Sequence, residues 1–432
     1  MQMPPQTPAA VLQDHEAQIQ VSRKKAWFAF AMLFLLMLSD YIDRQIIVSL
    51  FPHIKEEWNL SDKQLGALVS IISIVVALGS LPVALLADRF GRVKSIVAMG
   101  AIWSVATIAC MFTRSYGQLL AARAVVGVGE TGYGSVGAAL VNALFPKRMH
   151  STLLGAFFAA GSVGSVLGVV LGGVIADHWG WRAAFGVVGV PGLLIALLFW
   201  LVPDYKTQPL KIAAKAGADL ARGPVRLYRM LTNGPTLLWA SLAGSLQLIV
   251  MSTIWAWTPS YFNRYYGMTV TASAKHAALA VLCGAVGAVL WSVVADRVGR
   301  RNPVNKLYLM CVLTLCTFAV FCYAFAAPLE LQARFIAIMA GSLLMTCAVG
   351  AVTSTVLDVS NPALRSTGGA VLALFQNLFG LAIGPFFGGL ISDGWGLSTA
   401  LTVIPCASVL SALCFWMASR SYARDVKNVA SL

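Results

Sequence analysis

The chain reads as an all-α membrane protein: twelve transmembrane helices in two six-helix bundles, with a central cavity between the halves. Three observations predict this. Only 11% of the 432 residues are charged while 58% are hydrophobic, whereas an ordinary soluble domain carries about a quarter of its residues as charges. The apolar residues fall in blocks of roughly 20, enough to cross a hydrocarbon core about 30 Å thick at about 1.5 Å per residue. The chain also repeats itself: Leu86-Ala-Asp-Arg-Phe-Gly-Arg92 returns 208 residues later as Val294-Ala-Asp-Arg-Val-Gly-Arg300.

In order, the spans are expected at 26–50, 65–87, 95–112, 119–144, 152–176 and 183–202, then at 236–262, 276–295, 306–327, 333–357, 366–392 and 398–418. This divides the chain into an N-terminal tail (1–25), a first bundle (26–202), a linker (203–235), a second bundle (236–418) and a C-terminal tail (419–432). Span one carries Asp40, Asp43 and Arg44, and span four carries Arg123 and Glu130. Spans two, five, eight and eleven each end in Asp-x-x-Gly, the trace that nested three-helix repeats would leave. Span five holds the ladder Gly164-x-x-x-Gly168-x-x-x-Gly172-Gly173 followed by Asp177, and span eleven repeats it 216 residues later as Gly380, Gly384, Gly388, Gly389 and Asp393. Such ladders let membrane helices approach closely. The linker is rich in lysine, arginine and proline, and reads as a solvated connection or a surface for anionic lipid headgroups.

The net charge is +14, and its placement assigns it to topology. Of the 31 Lys and Arg, 22 fall in the tails and the loops on the side of the termini, and seven on the opposite side. This is the positive-inside pattern, which puts both termini in the cytoplasm of a cell with the chain in its inner (plasma) membrane and leaves no nucleic-acid partner to explain. The first 22 residues lack the apolar core of a cleavable signal peptide. The eight cysteines lie in apolar spans without metal-ligand spacing to histidine and read as small core residues, so neither disulfides nor a metal is expected. No cofactor is expected. Gly127-Val-Gly129-Glu-Thr-Gly132 matches a dinucleotide pattern, but no strand precedes it.

The loop between spans two and three, Leu86-Ala-Asp-Arg-Phe-Gly-Arg92, resembles the loop signature of the major facilitator superfamily, with Ala84 and Val93 departing from it. Arg123-x-x-x-Gly127-x-Gly129-Glu130 resembles that family's fourth-span pattern, and together with Asp43-Arg44 and Gly180-Trp-Arg-Ala-Ala-Phe185 it resembles the Spinster-like branch. Span five, with Gly155 ahead of its ladder, resembles the antiporter signature, although Val169 stands where proline is usual. The resemblance implies transport by alternating access, of amphipathic lipid-like or drug-like molecules. It also implies that Asp88, Arg89, Gly91 and Arg92, with Asp296, Arg297, Gly299 and Arg300, gate the cytoplasmic side. Otherwise those residues only set topology.

Charges inside a span cost several kcal/mol and are functional candidates by default. Counted from the span ends, Asp43 lies about 12 Å, Asp40 about 16 Å, Glu130 about 16 Å and Arg123 about 6 Å below one face. Arg123, Gly127, Glu130 and Gly134 form one helical stripe. The resemblance brings spans one and four to the same cavity. A proton site is then expected at Glu130 and Asp43, with Arg44 and Arg123 as counter-charges: burial disfavours a carboxylate's charge, a nearby arginine favours it, and a change of cavity access alters both. A static buried ion pair and direct binding of a charged substrate, with Asp40 contributing, are the alternatives. The cavity wall is expected to include Asp40, Tyr133, Gln247, Trp255, Trp257, Gln376 and Asn377. The cluster Trp255, Trp257, Tyr261 and Phe262 reads first as an interfacial aromatic belt, with a substrate-stacking wall as the alternative. The reading is of a monomer that binds protons, a small amphipathic or anionic substrate, and membrane lipid. It is not read as an enzyme. A symporter of a small organic anion is the alternative within transport, and a receptor or channel the alternative outside it.

Overall fold

In the computed structural model the described residues are 22–202, 234–360 and 365–430, without the side chains of Asp88, Arg89 and a few others. Residues 1–21 of the expected N-terminal tail and 203–233 of the expected linker lie outside them, whereas the expected C-terminal tail is described to residue 430 and continues the last helix. Twelve successive spans are long and apolar enough to cross a bilayer, and the described residues contain no strand. The first half comprises α1 (Arg23–Trp58), α2 (Asp62–Phe90), α3 (Arg92–Cys110), a fourth span made of α4 (Tyr116–Glu130) and α5 (Tyr133–Leu144), α6 (Lys147–Trp179) and α7 (Trp181–Leu198). The second comprises α8 (Pro235–Tyr266), α9 (Val270–Gly299), α10 (Asn305–Ala326), a tenth span of α11 (Leu331–Met345) and α12 (Ala348–Asp358), an eleventh of α13 (Arg365–Phe375) and α14 (Ile383–Trp395) joined by a π turn at Gln376–Leu381, and a twelfth of α15 (Leu397–Val403) and α16 (Cys406–Ala430).

The fourth span is not the continuous helix expected. Thr131 is extended, its Oγ1 donating to Gly127 O at 2.6 Å, and Gly132 follows at φ 82°. Only glycine takes that conformation without a steric penalty. Gly134 therefore lies beyond the break, off the stripe of Arg123, Gly127 and Glu130, and Glu130 becomes the last residue of α4. The tenth span breaks similarly at Thr346.

The glycine ladders do what small residues do in lipid. Side chains at Gly164, Gly168 and Gly172 would run into the carbonyls of Leu38, Ile42 and Ile46, so α6 packs backbone-close along α1. In the second half, Gly380 and Gly384 lie against Ser245 and Ile249 of α8. The last glycine of each ladder crosses between halves, Gly173 against Ala274 and Gly389 against the Asp62 backbone.

Burial divides the molecule into three clusters. At the end opposite the termini, one apolar core runs through both halves, including Ile46, Phe51, Leu65, Trp257, Val281 and Phe321. At the termini end, each half closes a core of its own, around Leu33, Trp103 and Phe157 in one and Leu307, Val352 and Phe415 in the other. Trp257, Tyr261 and Phe262 are fully buried in the shared core and so do not form an interfacial belt, because α8 packs them against α1 and α9–α11. Phe51 and Trp257 meet across the halves at 5.2 Å. Cys316 and Cys406 are exposed, unlike the core positions expected of them.

Candidate functional site

A cavity of about 270 Å³ lies between the halves. On the first-half side, α1 offers Tyr41, Arg44 and Gln45, α2 offers Ile72 and Ser73, and α4 offers Arg123. On the second-half side, α8 presents Gln247, Met251 and Trp255 on one face at i, i+4 and i+8, and the π turn presents Gln376 and Asn377. One wall is cationic and the other is amide and apolar.

The charged residues of spans one and four meet, as their depths suggested, and they sort into two pairs. Arg44 holds its Nε 2.8 Å from Glu130 Oε2 and 3.5 Å from Asp40 Oδ1, one turn back on its own helix. Neither Glu130 oxygen has an aligned hydrogen-bond donor. Glu130 is sealed from solvent, while 22% of the Arg44 side chain remains exposed. The Tyr41 ring lies 5.6 Å from the Arg44 guanidinium. The second pair is Asp43 with Arg123, Nη1 to Oδ1 at 3.3 Å, where Thr107 Oγ1 donates to the other carboxylate oxygen at 2.8 Å. Arg123 is fully buried, and its Nε and Nη2 have no partner.

Several expected wall residues lie elsewhere. Tyr133 is buried against Trp103 and Phe157 and donates its hydroxyl to Leu33 O at 2.7 Å, because the break at Gly132 turns it into the first-half core. Trp257 donates to Pro385 O at 3.1 Å in the shared core. Asp40 is 4% exposed and is committed to Arg44 behind the wall. Gln247, Trp255, Gln376 and Asn377 do line the cavity. Sequence reasoning missed Tyr41, Gln45 and Met251, although Tyr41 lies three residues before Arg44, Gln45 four after Tyr41 and Met251 four after Gln247, spacings that share a helix face. Nothing in the sequence signals Thr107.

At the expected gate, Gly91 turns the chain at φ 97°, and Arg92 donates to Ala139 O at 3.0 Å within the same half. Gly299 instead ends α9 without a positive φ, so its loop copy makes no such turn, and Asp296, Arg297 and Arg300 are exposed. The side chains of Asp88 and Arg89 lie outside the described residues. No cluster able to hold a metal ion occurs among the described residues.

The sequence matches the family model of the Major Facilitator Superfamily over residues 33–381. It is 28% identical to an MFS-type efflux pump of Mycolicibacterium smegmatis over 418 residues, 93% of this chain and 95% of that protein. It is 26% identical to protein spinster homolog 3 of Danio rerio (95% and 88% of the chains) and 26% identical to a gallate transporter of Pseudomonas putida (90% of each). The backbone superposes on a bacterial homolog of the human lysosomal transporter Spinster, in an inward-facing and unoccupied conformation, with a TM-score of 0.83 at 22% identity over 94% of this chain and 99% of that one. At that identity the likeness shows the fold alone.

Proposed function

The chain belongs to the major facilitator superfamily, and from that premise we propose that it is a proton-coupled secondary transporter whose halves alternately expose the cavity to the two membrane faces. Its termini face the cytoplasm, it lies in the inner membrane, and it works as a monomer. The observation that carries the coupling is the Asp40–Arg44–Glu130 cluster. Two carboxylates share one guanidinium that borders the cavity, and Glu130 has no aligned donor to satisfy it. Loading a proton on Glu130 frees Arg44 from one of its two partners. Because Arg44 is itself part of the cavity wall, cavity occupancy and protonation act on the same side chain. Asp43 takes the structural part instead, fully engaged by Thr107 and Arg123.

The substrate is an amphipathic molecule, lipid-like or drug-like, with a polar group toward Arg44 and an apolar body against Met251 and Trp255. The mixed wall supports this, as does the resemblance of spans one and four to the Spinster-like branch. One observation favours a second reading, a small organic anion. Arg123 lies beside the cavity with two buried nitrogens that have no hydrogen-bond partner, and one relative is a gallate transporter. Purified protein in proteoliposomes under an imposed pH gradient, offered lysolipids, cationic dyes and gallate in turn, tests both. Gradient-driven movement of lysolipid or dye supports the first reading and movement of gallate the second. Equal rates with and without the gradient would remove proton coupling.

A further inference from the structure

We propose that the end of the bundle opposite the termini is held shut by a latch built twice, once by each half upon the other. It gives the alternating-access reading a named closing device. In the last turn of α14, Asp393 accepts the backbone N–H groups of Asp62 at 2.7 Å and Lys63 at 2.9 Å, the first residues of α2 in the other half. In the last turn of α6, Asp177 accepts the N–H of Thr271 at 2.8 Å, at the start of α9. Asp177 and Asp393 are 216 residues apart, as their ladders are, and Lys63 and Thr271 are 208 apart, the offset of the loop repeat. The two links are therefore one device with the halves exchanged.

The chemistry suits a latch. First-turn amides have no acceptor within their own helix, and a negative charge there is favoured by the helix dipole. At α2 the local cap is already complete: Ser61 N donates to Gln64 Oε1 at 3.0 Å, and Gln64 N to Ser61 Oγ at 3.2 Å. That leaves the Asp62 and Lys63 amides for the other half. The ladders bring the backbones within reach, since a side chain at Gly389 would strike the Asp62 backbone and one at Gly173 would strike Ala274.

One seam carries an extra lock. The Asp62 carboxylate receives both Nη atoms of Arg264 from α8 at 2.6 and 2.7 Å, Lys55 Nζ at 2.5 Å and Ser392 Oγ at 2.5 Å. Position 270, which corresponds to Asp62, is valine. Opening the cavity to this side must break both helix-end links and this bidentate pair together, because the halves share a single apolar core here.

The test is backbone hydrogen exchange on the full-length protein in lipid nanodiscs, read on the segments 61–66 and 269–275. Asp393→Ala removes one link directly. The latch predicts exchange about tenfold faster in both segments, the distant one included, because the end opens as a unit. Asp177→Asn, a milder change, is expected to give the reciprocal result, and Glu56→Ala, an exposed neighbouring acid, no change. A rise confined to the segment that the altered aspartate touches makes each a local cap and overturns the proposal, as does no rise in either. The readout needs no substrate, so its failure stands apart from a failure of the transport assay.

Discussion

Arg44 of α1 reaches Glu130 at the end of α4 with its Nε 2.8 Å from a carboxylate oxygen, and it does so from the cavity wall, while Glu130 itself is sealed. A buried acid is thus joined to the cavity wall through its counter-charge. Glu130→Gln keeps the shape and removes titration. We expect gradient-driven transport to be lost while substrate exchange across the membrane at equal pH persists. Loss of both with poor folding would instead indicate a purely structural pair.

Asp43 is expected to behave differently. Asp43→Asn leaves Arg123 buried without its carboxylate, and breaking a buried pair from one side costs on the order of 3 kcal/mol. A thermal midpoint lower by about 3 °C, with coupling intact in the protein that survives, is the expected result in a melting assay. An unchanged midpoint would contradict the structural assignment.

Trp255 and Gln247 face the cavity from α8, away from the ionic cluster. Trp255→Ala should raise KM by about tenfold, as removal of a large aromatic contact does, and leave the proton-to-substrate ratio unchanged. A changed ratio with constant KM would move this residue from binding to coupling.

The ladder glycines predict a contrast. Gly168→Ala places a methyl against the Ile42 carbonyl and should lower stability, whereas Gly155→Ala meets nothing within 4 Å and gains helix propensity. Comparing the thermal midpoints of the two variants decides whether close approach to α1, rather than glycine content, is what the ladder supplies.

The orientation predicts that a cysteine at Ser115 reacts from outside intact cells and one at Arg301 does not, in a background without the exposed Cys316 and Cys406. Reversed labelling would invert the topology.

The sequence alone determined the solvent, the span count and the internal repeat. These follow from additive properties: the transfer cost of each residue into lipid and offsets of 208 and 216 that need no geometry. It also brought Asp40, Asp43, Arg44, Arg123 and Glu130 to compatible depths, because rise per residue is constant along a helix. It could not say which arginine serves which acid, because pairing depends on rotation about the helix axes and on a break at Gly132 that a helical stripe reading passed over. For the same reason Tyr133 and Trp257 moved from the expected cavity wall into the cores, while Tyr41 and Gln45 took places on it. Asp177 and Asp393 were visible as the ends of a repeat. Only the tertiary structure decided that each caps a helix of the opposite half, because that contact joins residues 94 and 331 positions apart.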